Sequence, residues 1–146
     1  MITIAPYDSS FAQDISRIEQ GCFPSPWSME SLLRTLSGEN ALTLTALDEG
    51  TPVGYASALL IGEEAEVLKV AVLPEWRGRG VGRQLAEALI EGLGAAGVRT
   101  LHLEVRESNR AARILYEKCG FRHAGRRSGY YSSPREDAVL LTMRMG

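Results

Sequence analysis

The sequence has few cysteines and no long apolar segment. Its two cysteines, Cys22 and Cys119, lie far apart and in no spacing typical of a metal site, so we expect thiols without a disulfide and no bound metal. No stretch approaches the ~20 consecutive apolar residues of a membrane-spanning helix. The first residues also lack a basic segment followed by an apolar run, which is the pattern of a secretion signal. These absences predict a soluble cytoplasmic protein that does not contact a membrane.

The chain also lacks an excess of basic charge. Sixteen basic residues stand against eighteen acidic ones, which gives a net charge of -2. A protein that binds the phosphate backbone of nucleic acid needs a basic surface, so this balance argues against direct nucleic-acid binding. The length of 146 residues is that of one ordinary domain, and the sequence contains no internal repeat, low-complexity tract or linker. We therefore expect a single domain over residues 1–146.

The spacing of apolar residues predicts an α/β protein built on a mixed sheet. Alternation and short apolar runs predict strands at 1–7, 41–47, 52–61, 65–73, 99–105, 121–126 and 138–145. Helical spacing predicts helices at 9–21, 29–36, 79–94 and 108–118, the last with Ala111, Ala112, Ile114 and Leu115 facing the core. A short crossover through a helix requires parallel strands. We therefore expect a mostly antiparallel sheet of about seven strands with a parallel pair at its centre and about four helices on its two faces.

A glycine-rich segment provides the sharpest local signal. Arg77-Gly78-Arg79-Gly80-Val81-Gly82 follows a strand that ends at Pro74 and precedes an amphipathic helix. Glycines there allow successive backbone N–H groups to point at one anion, and the helix N-terminus adds partial positive charge. This arrangement suits a pyrophosphate, although a plain structural turn explains the segment equally well on its own. It is not a P-loop, because no Gly-Lys-Ser/Thr follows, and it departs from the dinucleotide-binding fingerprint.

Together with the strand before it, this segment resembles a known cofactor-binding motif. Arg77-x-x-Gly80-x-Gly82 after Val70-Ala71-Val72-x-Pro74 is similar to the acyl-CoA-binding motif of the GNAT superfamily of N-acetyltransferases, and the order of elements is similar across nearly the whole chain. Four further segments resemble, more narrowly, the bacterial RimI group, which acetylates the N-terminal alanine of a small-subunit ribosomal protein. They are Phe23-Pro24-Ser25-Pro26-Trp27-Ser28, residues 103–109, residues 115–121, and Tyr130-Tyr131 followed by residues 135–138.

The resemblance implies a GNAT fold with acetyl-CoA as co-substrate and no metal. It assigns the pantetheine arm, the pyrophosphate and a further cofactor contact to Val70, Ala71, Val72, Arg77, Gly78, Arg79, Gly80, Val81, Gly82 and Asn109. Glu104 matches the general base of the family, and Tyr116 matches its general acid. Without the resemblance, Glu104 would read as a solvent-facing strand residue and Tyr116 as core packing.

The chemistry calls for the same residue types. An N-terminal amine, with a reference pKa of ~7.7–8.0, is only partly deprotonated at neutral pH, and a carboxylate such as Glu104 can take its proton directly or through water. The departing thiolate needs a proton, which the phenol of Tyr116 can supply. The oxyanion of the intermediate needs a fixed donor, and a backbone N–H near Val72 can provide one where the parallel strands separate.

Aromatic side chains mark the candidate acceptor site. Phe23, Pro24 and Trp27 are interpreted as lining it, with a hydrophobic staple between two helices as the alternative. Tyr130 and Tyr131 are also assigned to it, with an ordinary strand pair as the alternative, and at most one of them is expected to touch the peptide.

These observations lead to one functional hypothesis and two rivals. We expect transfer of acetyl from acetyl-CoA to the N-terminal α-amine of a protein, a ribosomal one with N-terminal alanine. Direct attack in a ternary complex is favoured, because neither Cys22 nor Cys119 has a visible base to activate it as an acyl carrier. The rivals are a relative that acetylates a lysine side chain or a small-molecule amine, and a non-catalytic module that binds acyl-CoA.

Overall fold

The computed structural model describes residues 1–23, 26–132 and 134–145, and within them the chain forms seven strands and four α-helices. The strands are β1 (Ile2–Pro6), β2 (Ala41–Asp48), β3 (Thr51–Ile61), β4 (Glu64–Val72), β5 (Thr100–Arg106), β6 (Arg122–Ser132) and β7 (Arg135–Arg144). The helices are α1 (Ala12–Cys22), α2 (Met29–Leu36), α3 (Val81–Ala95) and α4 (Arg110–Cys119). Within the described ranges, no helix combines the length and the apolar character needed to cross a membrane.

The strands form one mixed sheet in the order β1-β2-β3-β4-β5-β7-β6. Neighbouring strands are antiparallel except for β4 and β5, which are parallel and are connected through α3. A helix-containing crossover is what a parallel pair requires. The predicted mostly antiparallel sheet with a central parallel pair is therefore confirmed.

The helices cover both faces of the sheet, as predicted. Helices α1 and α2 pack on Tyr55 and Ala71 in one hydrophobic cluster, whereas α3 and α4 pack on the larger cluster that contains Ala56. Tyr55 and Ala56 are consecutive residues of β3, and consecutive side chains of a strand point to opposite faces. The two helical layers thus lie on opposite sides of the sheet.

The parallel strands separate halfway along their length. Their pairing covers only Glu64–Glu66 of β4 and the facing residues 100–102 of β5. Beyond it, β4 remains paired with β3 as far as Val72, and β5 remains paired with β7 as far as Arg106. A bulge that leaves Leu68 unpaired with β3 lies at the point of separation, and bulges bend a strand. The result is a gap in the centre of the sheet between β4 and β5.

The last two strands are longer than the sequence predicts. Strands at 121–126 and 138–145 were expected, but the pairing of β6 with β7 continues to Ser132 and Arg135. The intervening residues are mostly exposed and polar, so they lack the alternation that marks a half-buried strand. The register shifts beyond Arg127, and the Asp137 carboxylate accepts the backbone N–H of Gly129 (2.8 Å) at that irregularity.

The predicted inner face of α4 is wrong in part. Ala111 is exposed, and Ile114 retains 43% of its surface, although both were expected to face the core. Ala112, Tyr116 and Cys119 pack on the larger cluster instead. Their spacing of four and three residues places them on one side of the helix, with the other two positions rotated away from it.

Candidate active site

The edge of β4 that borders the gap presents backbone groups of Val70 and Val72. Leu73 donates its N–H to the carbonyl of Val53 in β3 (2.9 Å), and bonding directions alternate along a strand, so Val72 and Val70 point away from β3. The Val72 carbonyl accepts hydrogen bonds from Cys22 Sγ (3.2 Å) and Arg77 Nε (3.1 Å). The backbone of Ala71 faces β3, so the expectation that it also points at the cofactor is not supported by its direction.

The glycine-rich segment lies at the end of this edge. Gly78 and Gly80 have φ of 76° and 81°, a left-handed conformation that favours glycine, and Gly80 is the N-cap of α3. The first N–H groups of a helix have no partner within it, so those at the start of α3 can hold an anion. The guanidinium of Arg79 lies over the Trp76 ring, 4.7 Å from its centroid. The predicted pyrophosphate segment is thus an exposed loop that leads into a helix N-terminus.

Asn109 begins the second helix on this side of the sheet. Its Oδ1 accepts the backbone N–H of Ala112 (3.2 Å), which makes it the N-cap of α4. Capping is therefore its visible role.

Glu104 lies on β5, facing away from α3 and α4. Its neighbours Leu103 and Val105 belong to the core under those helices, so alternation turns Glu104 to the opposite face. Its Oε2 is buried and has no hydrogen-bond partner among the described residues. The neighbouring Glu104 carboxylate is the main reason that the pKa of Tyr130 is raised to about 12. Burial first, and then the Glu104 charge, raise the pKa of Tyr131.

The β6–β7 hairpin is fastened to the end of β5 by charged side chains. Arg106 lies 4.3 Å from the centroid of the Tyr131 ring, pairs with Glu136 (3.3 Å) and donates to the carbonyl of Pro134 (2.9 Å). Tyr130 and Tyr131 meet edge to face at 5.0 Å. These contacts place both tyrosines beside Glu104.

Tyr116 approaches from the face opposite to Glu104. It is 8% exposed, belongs to the core beneath α3 and α4, and meets Phe121 edge to face at 5.6 Å. Burial raises its pKa well above the usual value, so the phenol stays protonated throughout the neutral range. The predicted base and the predicted acid are therefore on opposite faces of the sheet.

A cavity extends along the sheet from Glu104. It has a volume of about 360 Å³, and its lining includes Glu64, Glu66, His102 and Arg127. The His102 ring is held by hydrogen bonds with Glu64 (2.7 Å) and Thr142 (3.2 Å). An extended chain whose first residue reaches Glu104 can continue along this surface.

Sequence reasoning missed a buried charged cluster on the same face. Glu19 of α1 is fully buried and accepts hydrogen bonds from the hydroxyl of Tyr55 (2.6 Å), Lys69 Nζ (2.7 Å) and the backbone N–H of Trp27 (2.9 Å). The Lys69 ammonium also lies over the rings of Phe23 (4.2 Å) and Trp27 (3.7 Å). A signal existed, because Glu19 interrupts the apolar side of a helix and Lys69 interrupts an apolar strand. Pro24, which was also predicted to line the acceptor site, lies outside the described residues.

Comparison with known proteins now identifies the family. The family model described as Acetyltransferase (GNAT) family matches residues 12–121. The chain belongs to the GNAT family of acetyltransferases. It is an acetyl-CoA-dependent N-acetyltransferase, as the resemblance implied.

Individual relatives align with nearly all of this GNAT chain. The ribosomal protein bS18-alanine N-acetyltransferase of Haemophilus influenzae is 38% identical over 144 residues, which are 97% of each chain. The Escherichia coli K12 protein of the same name is 37% identical over 145 residues, covering 98% of this chain and 97% of its own. The crystal structure of the ribosomal-protein-S18-alanine N-acetyltransferase from E. coli matches with a TM-score of 0.93 at 35% identity, over 100% of this chain and 95% of that one.

Proposed function

We propose that this protein transfers acetyl from acetyl-CoA to the α-amine of the N-terminal alanine of ribosomal protein S18. Similarity of 37–38% over nearly the full length to two enzymes that carry this activity in their names supports the proposal. The observation that carries the chemistry is the buried Oε2 of Glu104 beside the gap between β4 and β5, an oxygen with no hydrogen-bond partner in the part of the chain that the structure describes. A ribosomal acceptor also supports a cytoplasmic location.

The gap and the glycine-rich loop fit the co-substrate. Acetyl-CoA supplies the acetyl group as a thioester, whose carbonyl carbon the acceptor amine attacks. The backbone groups of Val70 that point into the gap would pair with the amides of its pantetheine arm, and the Val72 N–H would point at its thioester carbonyl. The loop formed by Arg77, Gly78, Arg79, Gly80, Val81 and Gly82 would hold the pyrophosphate. Asn109, at the start of α4, would lie beside the same molecule.

Glu104 would act as the general base. An α-amine with a pKa of ~7.7–8.0 arrives largely protonated at neutral pH and must lose a proton before it attacks. The unpartnered oxygen of Glu104 can accept that proton directly or through a water molecule. The phenol of Tyr130, whose pKa this carboxylate raises, stands beside it.

Tyr116 would assist the leaving group from the other face. Because burial keeps its phenol protonated, Tyr116 can donate a hydrogen bond to the sulfur and stabilise the thiolate as it departs, while the proton of the amine goes to Glu104. The N–H of Val72 points into the gap and can stabilise the oxyanion of the intermediate. Acceptor and donor would thus enter the gap from opposite faces and react directly, without an acyl-enzyme.

Two aromatic walls would flank the acceptor. We name the pair Phe23 and Trp27 the loop wall, and the pair Tyr130 and Tyr131 the hairpin wall. The loop wall stands beside β4, where Lys69 contacts both of its rings, and the hairpin wall stands beside Glu104 on β5. The part that Pro24 was assigned in the loop wall stays a prediction.

The experiment is release of CoA thiol from acetyl-CoA by the purified protein. The acceptors are the N-terminal peptide of S18, which starts with alanine, and an N-blocked, lysine-containing counterpart. We expect turnover of the free peptide alone and a loss of about 10²–10⁴-fold in Glu104→Gln. Glu117→Gln is the matched control, since Glu117 is an exposed carboxylate on α4.

Three results would contradict the proposal. Turnover of the blocked peptide would shift the activity to lysine side chains. Binding of acetyl-CoA without turnover of the S18 peptide would rule out S18 as the acceptor. Turnover that survives in Glu104→Gln would rule out Glu104 as the base.

A further inference from the structure

A single buried carboxylate joins the elements that surround the loop wall. Glu19 of α1 is 0% exposed, yet it receives hydrogen bonds from β3 through Tyr55, from β4 through Lys69 and from the α1–α2 loop through the N–H of Trp27. Both oxygens are used, because Lys69 Nζ reaches Oε1 at 2.7 Å and Oε2 at 2.9 Å. The carboxylate therefore fixes the backbone of Trp27, just before α2, against α1 and the sheet.

Lys69 adds a second hold on the same loop. Its side chain is 15% exposed, and its ammonium lies 3.7 Å from the centroid of the Trp27 ring and 4.2 Å from that of Phe23. A cation over an aromatic face is attracted to it, more strongly when water is excluded. Lys69 is thus bonded to Glu19 and in contact with both rings of the loop wall.

Folding alone does not call for charges here. Burying two ions is costly, and replacing a buried ion pair by neutral residues of similar volume is often harmless to stability. This ion pair instead restricts the position of the groups that it contacts. A carboxylate with fixed donors and an ammonium between two rings define one position for the loop, which apolar packing would define less sharply.

The position of Lys69 links this cluster to the reaction. Lys69 directly follows the bulge residue Leu68, where β4 begins to separate from β5. It lies on the face covered by α1 and α2, which is also the face to which Glu104 points. The loop wall therefore stands across the gap from the proposed base.

We infer that Glu19 and Lys69 are positioning residues that set the loop wall for the acceptor peptide. The inference rests on the proposed function, because it treats Phe23 and Trp27 as an acceptor surface. Neither Glu19 nor Lys69 exchanges a proton with the substrate. They act through the rings, so their loss should weaken use of the peptide and leave use of acetyl-CoA nearly unchanged.

The test measures the KM for the S18 peptide and the KM for acetyl-CoA separately in four variants. Lys69→Met removes the ammonium and keeps the chain length, Lys69→Arg keeps the charge, and Glu19→Gln/Lys69→Gln replaces the ion pair by a neutral hydrogen-bonding pair. Glu30→Gln is the matched control, because Glu30 forms an exposed ion pair with Arg34 (2.9 Å) on α2. Thermal unfolding of each variant identifies any that does not fold. If Lys69→Met does not fold, the neutral double variant takes its place in the test.

We expect the KM for the S18 peptide to rise about ten-fold in Lys69→Met and in the double variant, with the KM for acetyl-CoA changed less than about two-fold. In Lys69→Arg the KM for the peptide should stay close to the wild-type value, and in Glu30→Gln both KM values should equal those of the wild type. Trp27 offers a spectroscopic check, because Trp76→Phe leaves it as the only tryptophan. In that background Lys69→Met should shift its emission to longer wavelength as the ring gains solvent.

The failures are distinguishable. An active wild type whose peptide KM and Trp27 emission are unchanged by Lys69→Met would overturn the positioning role alone. Equal changes in both KM values and in kcat would also overturn it, since they indicate a general structural defect. A wild type that turns over no free-amine peptide would overturn the proposed function and, with it, this inference.

Discussion

The loop wall and the hairpin wall face the same gap, but a buried ion pair holds the first and more exposed ion pairs hold the second. Behind the loop wall is a fully buried carboxylate with an ammonium at 2.7 Å. Behind the hairpin wall are ion pairs closer to solvent, among them that of Arg126 with Glu107 (2.7 Å), whose side chains are 49% and 41% exposed. Water and salt screen exposed pairs, whereas a buried pair is screened little.

This difference suggests a division of labour between the walls. A buried, fully hydrogen-bonded network has few alternative arrangements, so the loop wall is suited to hold one fixed position. Exposed contacts break and re-form at little cost, so the hairpin wall can adjust to different residues of the proposed acceptor peptide. The contrast makes measurable predictions about stability, catalysis and pH.

The largest effect is expected behind the loop wall. Lys69→Met leaves the Glu19 carboxylate buried without its counter-charge, and removing one partner of a buried pair costs about 3–5 kcal/mol. The free energy of unfolding in urea at neutral pH should fall by that amount. The neutral double variant Glu19→Gln/Lys69→Gln should regain most of it. If Lys69→Met lowers the free energy of unfolding by less than about 1 kcal/mol, this ion pair contributes no more than an ordinary surface pair, and the two walls do not differ as described.

An intermediate effect is expected where the hairpin wall stands beside the proposed base. Tyr130→Phe removes the hydroxyl next to the Glu104 carboxylate and keeps the ring. We expect kcat/KM for the S18 peptide to fall about ten-fold at neutral pH, because the carboxylate loses a polar neighbour that holds it in place. Tyr131→Phe is the matched control, since it keeps the ring that Arg106 contacts. An unchanged kcat/KM in Tyr130→Phe would show that this hydroxyl does not support the proposed base.

Much of the fold was predictable because the core strands are half-buried. Strand β5 alternates strictly between core and partly exposed positions, and its period of two is visible in the sequence. The outer half of the β6–β7 hairpin was not predictable, because its residues face solvent on both sides and are held by pairing and charge. The inner face of α4 was misjudged because Ile114 is apolar but points away from the larger core.

The site divides in the same way. Glu104 and the glycine-rich segment could be proposed from the sequence because each lies within a short, recognisable stretch. The contact between Glu19 and Lys69 joins residues fifty positions apart and depends on how α1 lies on β4, which no local pattern records. An acidic residue inside an apolar helical face and a lysine inside an apolar strand were visible separately, but only the tertiary structure pairs them.

The smallest effect is expected in the anchor of the hairpin wall. Hydrogen bonds from Ser108, followed by the neighbouring Arg106, hold the pKa of Glu136 below its ordinary value of 4.5. A carboxyl group with a lowered folded-state pKa stabilises the fold above its ordinary pKa and loses that contribution as the pH falls through the lowered value. The thermal midpoint of Glu136→Gln should therefore lie slightly below that of the wild type at pH 7, and the difference should vanish as the pH falls below 4.5. A difference that stayed constant down to pH 3 would show that Glu136 acts through packing and not through its charge, and the hairpin wall would then not be held by exposed ion pairs as the comparison requires.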